Sequence, residues 1–196
     1  MIILSSLRMH RQQLGMTLVE LLIAIAIMGL VVGGLTRIFI TQRKAAVHVE
    51  LVDTMTQQAQ TALDLMMREL ITAGTNPLNI ALVPVTYSAT QLDIRADLNG
   101  NGTTADVNEH VIYTHDAATR RLLRDGGNGQ EVVAESIVNF ACQYLDINGV
   151  NTVNSNAIRQ VRLFVVARTA KVDPDYRLNG GYRTLTLTTS VALMAR

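Results

Sequence analysis

Glu20 is the first residue whose position suggests chemistry. It is the only charged residue between Met16 and Thr36, and residues 21–35, LLIAIAIMGLVVGGL, contain no polar side chain. A carboxylate inside so apolar a run is costly and is normally kept for a function that gives it a partner. The sequence therefore predicts that Glu20 pairs with a cation. Its place near the start of the run also suits the positive end of a helix dipole.

A second candidate site is a segment rich in acids and amides. Oxygen-bearing side chains recur at alternate positions before Gly102, a spacing typical of calcium loops. The candidate ligands are Asp97, Asn99, Asn101, Asp106 and Glu109. A helix-loop-helix hand is not expected, because Asn108 stands at the twelfth position and no helical pattern precedes the loop. The alternative is a polar turn in which Asn-Gly pairs supply positive backbone angles.

Catalytic motifs are not found. The four histidines, His10, His48, His110 and His115, show no HExxH or similar metal spacing, and no glycine-rich phosphate loop precedes a helix. Cys142 is the single cysteine, so no intramolecular disulfide forms, and its apolar surroundings predict a buried, inert thiol. We therefore expect no enzyme and no required cofactor, with calcium as the one candidate ligand.

The composition indicates one compact domain and one unusually apolar segment. The chain has 196 residues, 48% of them hydrophobic and 17% charged. Its 17 basic and 16 acidic residues give a net charge of +1 and form no basic stripe. Nucleic-acid binding is therefore not expected.

The apolar segment is long enough to cross a membrane. From Met16 it extends over twenty residues interrupted only by Thr17 and Glu20, and a helix of about 20 residues rises roughly 30 Å. An ordinary secretory signal fits poorly, because a long helical pattern follows the run and no A-x-A site closes it. The charge distribution does not exclude a plain signal anchor, since basic residues flank the run on both sides.

The segment Gly15-Met16-Thr17-Leu18-Val19-Glu20, placed after a basic leader, closely resembles the type IV prepilin cleavage and methylation motif. The one departure is Met16, where that family usually has phenylalanine. The resemblance implies that residues 1–15 are a cytoplasmic leader, that prepilin peptidase cuts after Gly15, and that the same enzyme methylates the amine of Met16. That amine would be the cation that Glu20 needs, since the two are four residues apart on one helical face. Glu20 would pair with its own amine or with that of a neighbouring subunit during assembly.

The pattern beyond the span predicts a helix followed by a sheet. Apolar residues recur every three or four positions from Val47 to Ala73, and Gly74 with Asn76-Pro77 predicts the helix end. Alternating runs separated by Gly, Asn and Asp then indicate antiparallel strands at 91–96, 110–115, 121–124, 137–145, 161–169 and 184–193. In the last run, Leu185 and Leu187 share a face that could cover the helix.

The predicted fold is therefore α+β, the lollipop plan of pilins. A long N-terminal helix, transmembrane over 16–40 and amphipathic over 41–75, would pack on an antiparallel β-sheet head formed by 76–196. A looser resemblance to PilW-type minor pilins lies in residues 62–70, 137–146 and 158–163. It implies a low-abundance subunit that helps to initiate or cap assembly of a type IV pilus. Two alternatives remain: a J-type pseudopilin of a type II secretion system, and a tip adhesin or ligand-binding pilin.

The resemblance also implies a location and partners. The chain would be a single-pass protein of the bacterial inner membrane with its head in the periplasm, and would enter the pilus on assembly. Its partners would be the prepilin peptidase/methyltransferase, other major and minor pilins, and the inner membrane itself.

Overall fold

The computed structural model describes residues 16–193. Within them one long helix, α1 (Leu18–Thr72), precedes all the strands. The strands are β1 (Val85–Thr86), β2 (Gln91–Arg95), β3 (His110–Asp116), β4 (Arg121–Asp125), β5 (Gln130–Ala134), β6 (Ile137–Leu145), β7 (Gln160–Arg168) and β8 (Thr184–Ala192). Two short 3-10 helices, Ser155–Ala157 and Asn179–Gly181, lie in the connections. The chain divides into two compact units, one ending at Val47 and one beginning at His48.

The first unit is helical. Every described side chain from Met16 to Val47 is exposed, including the whole apolar run. The most apolar 18-residue window of α1 has a mean hydropathy of 2.5, and the helix is long and apolar enough to cross a membrane. Exposure of so many large apolar side chains is unfavourable in water, so this helix needs lipid or protein around it.

The second unit contains the rest of α1 and both sheets. The buried residues of α1 recur every three or four positions, as the sequence predicts, and are Met55, Ala59, Ala62, Leu63, Met66 and Leu70. Ala59 and Ala62 are fully buried, and their small side chains permit close approach of the strands to the helix. The helix ends where it was predicted to end, since Gly74 has a φ of +78°, a conformation that favours glycine.

The strands form two antiparallel sheets rather than one. The first has five strands in the order β1-β2-β3-β4-β5, and the second has three in the order β6-β7-β8. All six strands predicted from the sequence are present with bounds within one residue. The chain leaves the first sheet at Ser136, whose φ of 60° makes a sharp turn after β5, and Ile137 then starts the second sheet. β6 does not pair with β5: the backbone N–H of Ile137 donates to the carbonyl of Arg120 at 2.9 Å, and β6 pairs with β7 instead.

The core lies between α1 and the two sheets. Alternate residues of β7 are buried, and on β8 Leu185 and Leu187 are half-buried against the same core as the helix residues. Thr189, on the same face of β8, donates a hydrogen bond of 3.1 Å to the sulfur of Met67. The fold class is therefore the predicted one: a long N-terminal helix packed, within the second unit, on antiparallel sheet.

Candidate functional site

Glu20 and Thr17 form a reciprocal hydrogen-bonded pair at the start of α1. Oε2 of Glu20 accepts hydrogen bonds from the backbone N–H of Thr17 at 2.9 Å and from its hydroxyl at 3.0 Å. The Thr17 hydroxyl oxygen in turn accepts the backbone N–H of Glu20 at 3.2 Å. This is a capping box, which satisfies N–H groups that a helix terminus otherwise leaves unpaired. The charge of Glu20 was predicted to matter from the sequence, whereas the role of Thr17 is apparent only in the structure.

The surroundings of this pair are apolar. Leu18, Val19 and Leu21 are all more than half exposed, so Glu20 lies among apolar side chains that face outward. Met16, the predicted first residue after cleavage, is described and is 64% exposed. Gly15 lies outside the described residues, and cleavage there, methylation of Met16 and pairing of Glu20 with the resulting amine stay predictions.

The predicted calcium ligands lie together in the loop between β2 and β3. Asp97 is fully buried, and its carboxylate accepts three backbone N–H groups of the loop. Oδ1 accepts those of Gly100 at 2.7 Å and Asn101 at 3.1 Å, and Oδ2 accepts that of Gly102 at 3.0 Å. Gly100 and Gly102 both have positive φ, so the turn geometry expected from the Asn-Gly pairs is also present.

The other acids of the loop differ in exposure. Glu109 is 3% exposed. Its Oε1 accepts the backbone N–H groups of Leu98 at 2.9 Å and Asn99 at 3.1 Å. Its Oε2 is buried without a hydrogen-bond partner. Asp106 is exposed, and its Oδ2 accepts the side-chain amides of Asn99 at 3.0 Å and Asn101 at 2.6 Å. The loop therefore gathers all five predicted residues, and its hydrogen bonds leave one buried carboxylate oxygen unsatisfied.

A cluster of charged and titratable side chains joins α1 to the loop after β7. Nδ1 of His48 lies 3.0 Å from Oδ2 of buried Asp173, and Nε2 lies 3.6 Å from Oδ2 of Asp175. Nε of Arg183 donates to the same Asp173 oxygen at 2.8 Å. Burial disfavours the charge on Asp173, but Arg183, the N–H of Asp175 and His48 outweigh it and hold the pKa of that carboxyl below its usual value. No sequence pattern predicts this cluster, because its members are far apart in the chain.

A second cluster links α1 to the five-stranded sheet. Oε1 of Glu69 accepts Nε of Arg124 at 2.8 Å and lies 2.6 Å from Nη2, and Oε2 accepts the hydroxyl of Tyr113 at 2.5 Å. Tyr113 is fully buried, and burial followed by the Glu69 hydrogen bond raises the pKa of its hydroxyl. This cluster holds the second part of the helix against β3 and β4.

The remaining reactive residues are engaged in the structure. Nε2 of His110 lies 3.0 Å from Asp93, and Nε2 of His115 lies 2.9 Å from the carbonyl of Ile137. Cys142 is half-buried, and burial raises the pKa of its thiol to about 12, so it stays protonated at neutral pH. His10 lies outside the described residues. In the part of the chain that is described, these groups do not form an activated nucleophile.

Comparisons with known proteins agree with the N-terminal motif. The family model for the prokaryotic N-terminal methylation motif matches residues 10–36. No curated protein matches the chain. Among solved structures it is similar to the type IV-like pilin TTHA1219 from Thermus thermophilus, with 14% identity and a TM-score of 0.42 over 70% of this chain and 96% of that one. The chain therefore carries the prokaryotic N-terminal methylation motif at residues 10–36.

Proposed function

We propose that this chain is a minor pilin of a type IV pilus, a low-abundance structural subunit that helps to initiate or cap pilus assembly. The observation that carries the proposal is the methylation motif at residues 10–36, followed by an exposed helix with a single carboxylate in its first turn. The motif implies processing by prepilin peptidase and assembly with other pilins. The PilW-like segments of the head support a minor rather than a major subunit.

The geometry of Thr17 and Glu20 suits an assembly contact. Thr17 engages Oε2 of Glu20 through two hydrogen bonds, and no described residue donates to Oε1. The carboxylate is thus held in one orientation with one oxygen available to a cation. In an apolar environment a charged pair is worth more than in water, because little solvent competes for either partner. The amine of Met16, in the same chain or in a neighbouring subunit, is the proposed partner.

The apolar helix gives the subunit its proposed location. Before assembly, the apolar part of α1 up to Ile40 would lie in the bacterial inner membrane, with the sheets in the periplasm. On assembly the same surface would exchange lipid contacts for contacts with other pilin helices. Gly29, Gly33 and Gly34 have open space where a Cβ would lie, so neighbouring helices can approach closely there.

A J-type pseudopilin of a type II secretion system is the second candidate, because it would share the leader and the plan of a helix on antiparallel sheet. Deletion of the gene distinguishes the two. For a minor pilin we expect loss of surface pili and twitching with secretion intact, and rescue by the wild-type gene. Loss of secretion with intact piliation would instead support the pseudopilin, and no change in either would contradict both.

A further inference from the structure

Four acidic side chains are buried in the head, and they fall into two classes. Asp93 lies 3.0 Å from His110, and Asp173 lies 2.8 Å from Arg183, so each has a basic partner. Asp97 and Glu109 are equally buried, at 0% and 3% exposure. Among residues 16–193, neither has a basic side chain within 4.0 Å. Buried charges are normally paired or coordinate a metal.

The hydrogen bonds of these two carboxylates leave acceptor capacity unused. A carboxylate offers about four lone-pair sites. Asp97 accepts three backbone N–H groups and Glu109 accepts two, both on Oε1. Oε2 of Glu109 is buried and has no partner, which is costly for a charged oxygen. A polar turn explains the hydrogen bonds to Asp97, but it leaves this Glu109 oxygen unexplained.

We propose that the loop of residues 97–109 binds one calcium ion through the carboxylates of Asp97 and Glu109. Oε1 of Glu109 accepts the N–H of Leu98 and Asn99, so the carboxylate lies against the residues that directly follow Asp97. A divalent cation would neutralise both buried charges and occupy the unpaired oxygen. The inference goes beyond the assembly role and does not depend on which machine the protein serves.

The chemistry of the loop favours calcium among the common divalent ions. Residues 97–109 contain no histidine, cysteine, lysine or arginine, so the ligands are all oxygens and zinc is disfavoured. Asp106 lies at the surface of the same loop, joined to Asn99 and Asn101, and adds a third negative charge. An irregular set of carboxylate and amide oxygens suits the flexible coordination of calcium better than the strict octahedron of magnesium.

The test uses the full-length chain in a non-ionic detergent. All five tyrosines follow His48, so tyrosine near-ultraviolet circular dichroism reports the melting of the second unit alone. For a dissociation constant of about 10⁻⁴ to 10⁻³ M, calcium at about 5 mM should raise the melting temperature by roughly 2–9 °C through binding to the folded state. Magnesium at the same concentration should raise it less. Calorimetric titration should give one calcium per chain.

Glu109→Gln tests the role of the charge with nearly unchanged shape, and should abolish the calcium-dependent rise. Asp106→Asn changes an exposed residue, so it should fold normally and bind calcium about tenfold more weakly. The control is Asp146→Asn, because Asp146 makes a similar hydrogen-bonded turn with the N–H groups of Asn148 and Val150 but is only half-buried. This variant should keep the full rise. A wild-type chain with no calorimetric binding and no rise, or equal rises with calcium, magnesium and sodium chloride of matched ionic strength, would overturn the proposal. So would a full rise in Glu109→Gln.

Discussion

Thr17 and Glu20 each accept a hydrogen bond from the other at the start of α1. Glu20 consequently has two separable properties: a side-chain oxygen that caps the helix, and a negative charge in an apolar segment. Capping needs only an acceptor, which glutamine also supplies. Pairing with an amine needs the charge. Substitutions can therefore distinguish the contribution of Glu20 to helix structure from its contribution to assembly.

Glu20→Gln should retain the capping box but lose the charge. We expect the variant to insert, to be cleaved and to accumulate at wild-type levels, yet to reduce surface piliation in a deletion strain by at least tenfold. Thr17→Val should weaken the cap but keep piliation. It removes the capping hydroxyl, at a cost of about 1 kcal/mol to the helix terminus, and leaves the charge of Glu20 in place. Counting pili by electron microscopy, with immunoblots for processed protein, measures both. Full piliation in Glu20→Gln would show that the charge is not needed.

Gly15→Leu should block processing. The motif match covers Gly15, and a small residue at that position would allow the peptidase to approach the backbone. We expect a full-length, unmethylated precursor in the inner membrane, identified by mass spectrometry of the N-terminus. The wild-type chain should begin at a methylated Met16. Gly34→Leu is the control, because Gly34 lies within α1, away from the predicted cleavage position, and has open space where a Cβ would lie; processing of this variant should be normal. A wild-type chain beginning at Met1 would contradict the cleavage prediction.

The parts of the structure that were predicted correctly have local causes. Short-range sequence patterns determine the spacing of the buried residues of α1 and the end of the helix at Gly74. They also determine the alternation of buried and exposed residues on β7 and β8. The two strands that were missed lack such a pattern. β1 has two residues, and β5 is an edge strand whose first three residues are all exposed, so it shows no alternation of apolar and polar residues.

The candidate sites also differ in whether residues close in sequence or the folded structure determines them. The Glu20 motif lies within a few residues, so its candidate function could be predicted from the sequence together with the family resemblance. His48 and Asp173, by contrast, meet only because the loop after β7 returns to the helix. The unpaired oxygen of Glu109 likewise depends on which N–H groups the folded loop directs at Oε1. Burial and hydrogen-bond saturation are properties of the fold, and spacing alone does not encode them.

The Glu69 cluster should be a major source of head stability. Glu69 and Arg124 have side-chain exposures of 17% and 14%, so removing one leaves the other charge poorly solvated. Glu69→Leu should lower the free energy of unfolding by about 2–4 kcal/mol, measured by urea denaturation. Tyr113→Phe loses only one hydrogen bond to the carboxylate and should cost about 1.5 kcal/mol. The double variant should cost less than the sum, because both changes remove the same bond. Strict additivity would show that the cluster is not coupled.

Gly74→Ala should destabilise the head more than Gly180→Ala. Both glycines have positive φ, at +78° and +65°, so each substitution strains the backbone by about 1 kcal/mol. A Cβ on Gly74 would also lie 2.8 Å from Cγ of Pro84, whereas one on Gly180 would meet open space. We expect about 2–4 kcal/mol for Gly74→Ala and about 1 kcal/mol for Gly180→Ala in urea denaturation. Equal costs would mean that the Pro84 ring moves aside freely.

The contact between Asp173 and its basic partners should make head stability depend on pH in the acid range. The pKa of Asp173 in the folded protein lies below its ordinary value of 3.8, because Arg183, the N–H of Asp175 and His48 outweigh the effect of burial. A carboxyl whose pKa is lowered by folding stabilises the folded state fully above its unfolded pKa, and this stabilisation is lost as pH falls through the folded value. Asp173→Asn should therefore lower the melting temperature at pH 7, and its difference from wild type should narrow below about pH 4.

Asp175→Asn is the matched control, because Asp175 has an exposed side chain at 3.6 Å from His48. Its substitution should change the melting temperature little at either pH. The difference in melting temperature between wild type and Asp173→Asn is measured from pH 7 to pH 2.5 by the tyrosine signal. If this difference stays constant over that range, Asp173 contributes through packing and not through its charge.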